Sequence, residues 1–136
     1  LDNFTFISFR DRDGVKEVLN VSDASFVCYR PFPILETGSP NKYFDALAAG
    51  KLIIVNFGGW IRQEIEKHAC GVYVDSRHPT DFIKKINPFL EDKAALRAYQ
   101  AAGRLLAETT YSRKILSEQF SGILKKTIIS DFYPLG

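Results

Sequence analysis

Apolar residues change their spacing a little over halfway along the chain, near Asp75. Before that point, short apolar runs alternate with stretches in which apolar residues recur every three or four positions, the pattern of parallel strands joined by crossover helices. Four runs are predicted as strands: Phe4 to Phe9, Ser25 to Tyr29, Leu52 to Asn56 and Val72 to Val74, each bounded by Gly, Pro, Asp or Asn. The second and third are rich in β-branched or aromatic residues throughout, as suits strands covered on both faces. Between the runs, Asp13 is read as the N-cap of a helix carrying Val15, Val18 and Leu19 on one side. A second helix is expected to open at Ser39, a capping residue, with Pro40 in its first position, Phe44, Leu47 and Ala48 as its apolar stripe, and Gly50 as its stop. A third runs from Trp60 to Lys67 with Ile61 and Ile65 pointing inward.

After Asp75 three helical stretches follow with no strand between them. Pro79 opens the first, with Phe82, Ile83, Ile86, Phe89 and Leu90 apolar, and Pro88 is expected to kink it or end it early. Asp92 caps the second, which carries Leu96, Tyr99 and Leu106. Ser112 caps the third, where Ile115, Leu116, Phe120, Ile123, Leu124 and Ile128 form a stripe wider than a lone surface helix needs. The expected fold is α/β and Rossmann-like: a short, mostly parallel sheet of about four strands flanked by helices, with a helical C-terminal tail.

Composition narrows the function classes. A length of 136 residues suits one domain with its own core, here residues 1–136, and 46% hydrophobic with 25% charged residues is ordinary for a globular chain. No run approaches the roughly 18 apolar residues that a membrane span requires. Eighteen basic against sixteen acidic residues leave a net charge of +2, with no basic face to suggest a nucleic-acid partner. Cys28 and Cys70 sit in or beside apolar runs and are read as free thiols. With His68 and His78 they make no zinc-like spacing, so neither a metal nor a cofactor is expected. Residues Leu1 to Arg10 lack a basic segment followed by an apolar one, which makes a cytoplasmic setting the expectation. A first residue of leucine suggests a piece of a longer protein.

The residues that carry chemistry are Glu36 to Asp45, where two carboxylates bracket a glycine turn and a helix start. A helix N-terminus offers unpaired N–H groups and a positive dipole to an anion, and Gly38 would let the backbone come close to it. Lys42 would add a full charge. Asp45 could hold two vicinal hydroxyls, as a carboxylate does on a ribose, and Glu36 could do the same for a hexose. A plainer reading stands beside this one: Ser-Pro is a common structural cap, and a Lys or Asp in a first turn commonly faces solvent.

Continued through Ala46 to Lys51 and Leu52 to Trp60, the segment resembles the donor-site signature of family 4 glycosyltransferases, above all the group that assembles bacterial surface polysaccharides. The order of elements is similar over most of the chain, and the specific part spans about Glu36 to Gly71. The resemblance implies a retaining enzyme of the GT-B fold, built of two Rossmann-like lobes. This chain would be the C-terminal lobe, with the N-terminal acceptor lobe absent from it and the fragment inactive alone. The donor would be a UDP- or GDP-linked sugar, and the acceptor a growing glycan or lipid-linked species, which implies peripheral association with the inner face of the membrane. Carried over by position, Glu36 is the catalytic-site acid that contacts the donor sugar ring. Gly38, Ser39, Pro40 and Asn41 form the turn whose amides meet sugar and diphosphate. Asp45 is the acid that holds the ribose.

Two departures accompany the match: the family more often has Glu at the position of Asp45, and the two acids here stand one residue farther apart than in its commonest form. The Arg and Lys that neutralise the leaving diphosphate in the family have no clear counterpart; Arg10 and Arg12 are either charge partners or ordinary surface arginines. Gly58, Gly59 and Trp60 open the next helix at the same end of the sheet, where Trp60 either meets a sugar or the other lobe or covers the core. Lys84 with Lys85, and Lys125 with Lys126, are read as solvated faces. The rivals are a non-catalytic α/β interaction module, for which the acid cluster and lone lysine of a receiver are not evident, and a sugar-nucleotide epimerase of the same two-lobed fold. If a central strand of the lobe is missing, an open sheet edge should make the chain self-associate.

Overall fold

Leu52, Ile53, Ile54 and Val55 are each 0 to 1% exposed, which makes this run the centre of the sheet. The computed structural model describes residues 2–132, with side chains described up to residue 127. Its sheet has three strands, β1 (Ala24–Val27), β2 (Leu52–Val55) and β3 (Gly71–Tyr73), in the order β1-β2-β3. Both pairings are parallel, with Ala24 opposite Leu52 and Ile53 opposite Gly71 at the start of each ladder. Parallel neighbours require crossovers, and these are the helices α2 (Asn41–Ala48) and α3 (Trp60–Lys67). Helix α1 (Arg12–Val21) precedes β1, and α4 (Pro79–Glu91), α5 (Lys93–Thr110) and α6 (Arg113–Phe132) form the helical tail.

Alternate residues of β2 face opposite sides, so the sheet is covered on both. On one side Ile53 and Val55 pack with Tyr43, Leu47, Ile61, Ile65 and Leu106; on the other Leu52 packs with Phe89 and Leu96. Helix α5 contributes Leu96 to one cluster and Leu106 to the other, which ties the tail to both faces of the sheet.

Several local expectations are corrected. Phe4 to Phe9 forms no strand: it pairs with no neighbour, and Phe4, Phe6 and Phe9 are 70%, 83% and 96% exposed. An apolar run suits a sheet but cannot supply the ladder partner that a strand requires, and among the described residues the sheet has three strands rather than about four. The cap of α1 is Asp11, whose carboxylate accepts from the Gly14 amide at 2.9 Å, while Asp13 lies inside the first turn paired to Lys16. Ser39 does not cap α2, because Pro40 occupies the cap position and leaves the serine one residue outside; no side chain caps this helix. Its buried residues are Tyr43, Ala46 and Leu47, with Phe44 half-buried and Ala48 exposed, so the inward stripe is rotated by about one residue.

Pro88 does not end α4, for the helix runs three residues further to Glu91. A proline near a helix end removes only one N–H, and the burial of Phe89 against Leu52 and its edge contact with Tyr99 at 4.9 Å hold the last turn. Gly50 does end α2, with φ +61 and the Gly50 and Lys51 amides returning to Leu47 and Ala46. Asp92 caps α5 by accepting from the amides of Ala94 and Ala95, and Ser112 caps α6 through Ile115. The stripe of α6 is open to solvent, with Phe120 and Ile123 both 62% exposed; the side chain of Ile128 lies outside the described residues.

Burial acts on the ionisable groups of the core. It raises the Cys70 thiol to about 11, with the Glu64 carboxylate adding to the shift, and it raises the Tyr43 and Tyr111 phenols well above their ordinary range for the same two reasons. A group whose folded pKa lies above its unfolded one lends stability below the unfolded value and loses it as pH rises. The urea midpoint is therefore expected to fall steadily from about pH 8.5, where an unfolded thiol ionises, upward through 11. A midpoint constant across that window would contradict a buried Cys70. At neutral pH the half-buried Cys28 should react with iodoacetamide ahead of Cys70.

Candidate functional site

In a parallel sheet every strand points its carboxyl end the same way, and three segments leave the sheet together there: Cys28 to Gly38 after β1, Asn56 to Gly59 after β2 and Val74 to His78 after β3. This is the end at which open α/β sheets bind ligands. Asn56 fastens the first two segments, its Oδ1 accepting from the Tyr29 amide and its Nδ2 donating to the Tyr29 carbonyl, both at 2.9 Å. The side chain imitates one more rung of the β1–β2 ladder. Lys42, at the start of α2, turns back so that its ammonium donates to the Cys28 carbonyl at 3.4 Å and lies 4.8 Å from the centre of the Tyr29 ring.

Glu36 lies in a 3-10 turn, Pro33–Thr37, directly over the start of α3. A Cβ at Gly58 would stand 3.1 Å from both carboxylate oxygens of Glu36, and a Cβ at Gly59 would stand 2.2 Å from its backbone oxygen. Gly59 has φ +83 and ψ −163, a conformation open essentially to glycine alone. The two glycines thus serve a close approach between segments. Trp60 completes the contact: its indole Nε1 donates to the Gly38 carbonyl at 3.0 Å, and its ring packs at 88° to Tyr43 and at 29° to Phe44. Gly38 itself has φ −69, which any residue adopts, and a Cβ there would meet only ordinary contact.

Among the described residues no hydrogen bond or ion pair engages the Glu36 carboxylate. It lines a cavity of about 270 Å³ together with Asn56, Gly58, Tyr73, Asp75 and Arg77. Asp45 lines a different cavity, of about 330 Å³, between α1 and α2, beside Arg12, Lys16 and the apolar Val15 and Leu19. The structure therefore brings Glu36, Gly38, Gly58, Gly59 and Trp60 together and sets Asp45 apart from them, with the start of α2 linking the two places. Ser39 is exposed, and Asn41 stands exposed in the first turn of α2. Neither α2 nor α3 has a side-chain cap, so the first amides of both helices are left without one at this end of the sheet.

Two groups escaped sequence reasoning, the first of them at the site. Asp75 accepts from Arg77 through Nε at 3.0 Å and Nη2 at 2.9 Å, from the Arg77 amide at 3.0 Å, and from His78 at 3.1 Å. The arginine holds that carboxyl well below the usual range. The rule that ligands meet strand ends could have found this pair, because Asp75 follows the third predicted run. The other group is Glu64 of α3, which accepts from the Tyr43 hydroxyl at 2.5 Å and from the Tyr111 hydroxyl at 2.7 Å and so joins α2, α3 and the residue after α5. No spacing in the sequence signals it.

Among the described residues no cluster of three or more His, Cys, Asp or Glu could hold a metal, and no helix is long and apolar enough to cross a membrane. A parallel α/β lobe with an acid-lined crevice at the carboxyl ends of its strands is a Rossmann-like architecture, one that the lobes of GT-B glycosyltransferases share. The chain belongs to the family described as Glycosyl transferases group 1, which it matches over residues 1–105. Among curated proteins none matches it. Its class of reaction is glycosyl transfer, with a nucleotide-sugar donor and an acceptor as the family's substrates.

Proposed function

We propose that this chain is the donor-binding lobe of a retaining glycosyltransferase that takes a UDP- or GDP-linked sugar and extends a surface polysaccharide or a lipid-linked glycan. The observation that carries the reading is the unpartnered carboxylate of Glu36, held against Gly58 in a cavity at the carboxyl ends of the strands. A sugar ring offers the hydroxyl donors that such a carboxylate lacks. In this reading the donor lies along α2. Its sugar meets Glu36, its diphosphate meets the amides of Ser39 and Asn41 at the uncapped start of α2 with those of Gly59 and Trp60 nearby, and its ribose reaches Asp45 in the groove beside α1.

This arrangement accounts for the separation of the two acids, because a diphosphate must span the distance between ribose and hexose. Fixed dipoles of two helix starts, with the Lys42 ammonium behind them, stabilise the charge that develops on the departing diphosphate. The scheme needs no metal ion or other cofactor. The acceptor is bound by a second lobe, at the inner face of a membrane when it is lipid-linked.

Titration calorimetry with UDP, GDP and their sugars tests this. The expected result is measurable binding that Asp45→Ala weakens roughly tenfold, the effect of removing a charge-assisted hydrogen bond to a hydroxyl pair. In an enzyme with both lobes Glu36→Gln should lower kcat by about a hundredfold or more and weaken nucleotide-sugar affinity by roughly severalfold, while leaving affinity for UDP or GDP alone unchanged. Undetectable binding of every donor, with Asp45→Ala indistinguishable from wild type, would rule the reading out.

A further inference from the structure

The cavity that holds Glu36 contains one cation among its lining residues, Arg77, which belongs to the third strand-end segment and not to the motif around α2. Its guanidinium is ordered from behind, because Asp75 takes Nε and Nη2 in a two-pronged pair and also receives the Arg77 amide. Asp75 is fixed in turn by Asp81, whose carboxylate accepts from the Asp75 amide at 2.9 Å. A guanidinium has five N–H donors, and a two-pronged pair leaves three of them along its outer edge. The side chain is 80% exposed beyond that pair, so the outer edge remains available. Of the other cations near this end of the sheet, Lys42 is committed to the Cys28 carbonyl and the Tyr29 ring, Arg62 lies over the Tyr73 ring and pairs with Glu66, and Arg30 does not line this cavity.

We propose that Arg77 contacts an anionic group of the donor in the Glu36 cavity, with Asp75 holding its guanidinium in place. This rests on the donor-site reading and adds to it a cation from the third strand-end segment, outside the α2 motif. The anion is either the diphosphate or the carboxylate of an acidic sugar. A planar guanidinium suits both, since each presents two oxygens to its fork.

The test is titration calorimetry of the full chain with UDP-glucose, GDP-mannose and UDP-glucuronic acid, comparing wild type with Arg77→Gln and Arg77→Lys. Arg77→Gln is expected to weaken binding roughly ten- to a hundredfold, and Arg77→Lys by less, because the charge stays while the fork is lost. A loss shared by neutral-sugar and uronate donors identifies the diphosphate; a loss confined to UDP-glucuronic acid identifies a sugar carboxylate. Full affinity of Arg77→Gln for every donor that wild type binds would overturn this inference and leave the donor-site reading standing. Absence of binding by wild type would overturn both. Affinity for uridine or guanosine serves as the control for folding, and an equal loss there would assign Arg77 a structural role and overturn the inference.

Discussion

Gly59→Ala is expected to destabilise the chain by about 3 to 5 kcal/mol, lowering the melting temperature by roughly 10 to 17 °C, from backbone strain and steric overlap acting together. The native backbone at this position, with φ +83 and ψ −163, lies where a side chain is scarcely tolerated. The added Cβ would also stand 2.2 Å from the Glu36 carbonyl oxygen and 3.0 Å from its carbonyl carbon. Those are backbone atoms and cannot swing aside by changing a rotamer. Either the start of α3 or the turn that carries Glu36 must move, so the variant should lose both stability and donor binding. Gly58→Ala provides the contrast. Its nearest obstacle is the end of the Glu36 side chain at 3.1 Å, which can rotate away at a cost of about 1 kcal/mol or less. Thermal melts of the two variants side by side decide the matter, and a Gly59→Ala protein as stable as Gly58→Ala would show that the contact between the turn and α3 is not as described.

Glu64→Ala should cost about 2 to 4 kcal/mol, although Glu64 is a polar residue on a surface helix. The reason is what it leaves behind. Tyr43 is 0% exposed, and its hydroxyl donates to Glu64 at 2.5 Å; without that carboxylate a buried O–H has lost its acceptor. Tyr111 loses its acceptor as well, but it is only half-buried and can turn to water. Glu64→Gln keeps one acceptor oxygen and should cost about 1 kcal/mol, close to the effect of Tyr111→Phe. Urea denaturation measures all three. A Glu64→Ala midpoint equal to that of wild type would mean that the phenols are satisfied some other way. Because Tyr43 lies in α2 between Lys42 and Asp45, loosening this anchor should also weaken whatever the start of α2 binds.

The elements that could be read from the chain were those whose pattern is local. The run Leu52 to Val55 announces a buried strand by its lack of any polar residue, and α3 is marked at one end by two glycines and at the other by the loss of helical period. Asp92 could be recognised as a cap because a capping carboxylate reaches amides only two and three residues away. Caps that failed did so by one or two residues, as with Asp13 against Asp11 and Ser39 against Pro40, since several residues nearby are chemically able to start the helix. The stretch Phe4 to Phe9 failed for a different reason. Strand formation depends on a partner elsewhere in the chain, and an apolar run carries no information about whether that partner is present.

For the candidate site, Glu36, Gly58 and Gly59 stand out in the sequence as an acid before a helix start and a glycine pair after a strand, and the folded chain presses these two segments together. Arg77 does not stand out, being one of several charged residues in a polar loop. Its place in the Glu36 cavity follows from the order β1-β2-β3, which carries the end of the third strand to the same rim as the ends of the other two. The separation of Asp45 from Glu36 is of the same kind, since ten residues of sequence do not say on which side of a helix each carboxylate falls. The sequence by itself determined the α/β class, the central strand, the crossover helices and the segment that carries the family's signature, because periodicity and short-range capping act over a few residues. Only the tertiary structure decided which strand-shaped run finds a ladder, which carboxylates share a cavity, and that Glu64 is bound by tyrosines 21 and 47 residues away, because these contacts join residues whose distance along the chain encodes nothing about their distance in space.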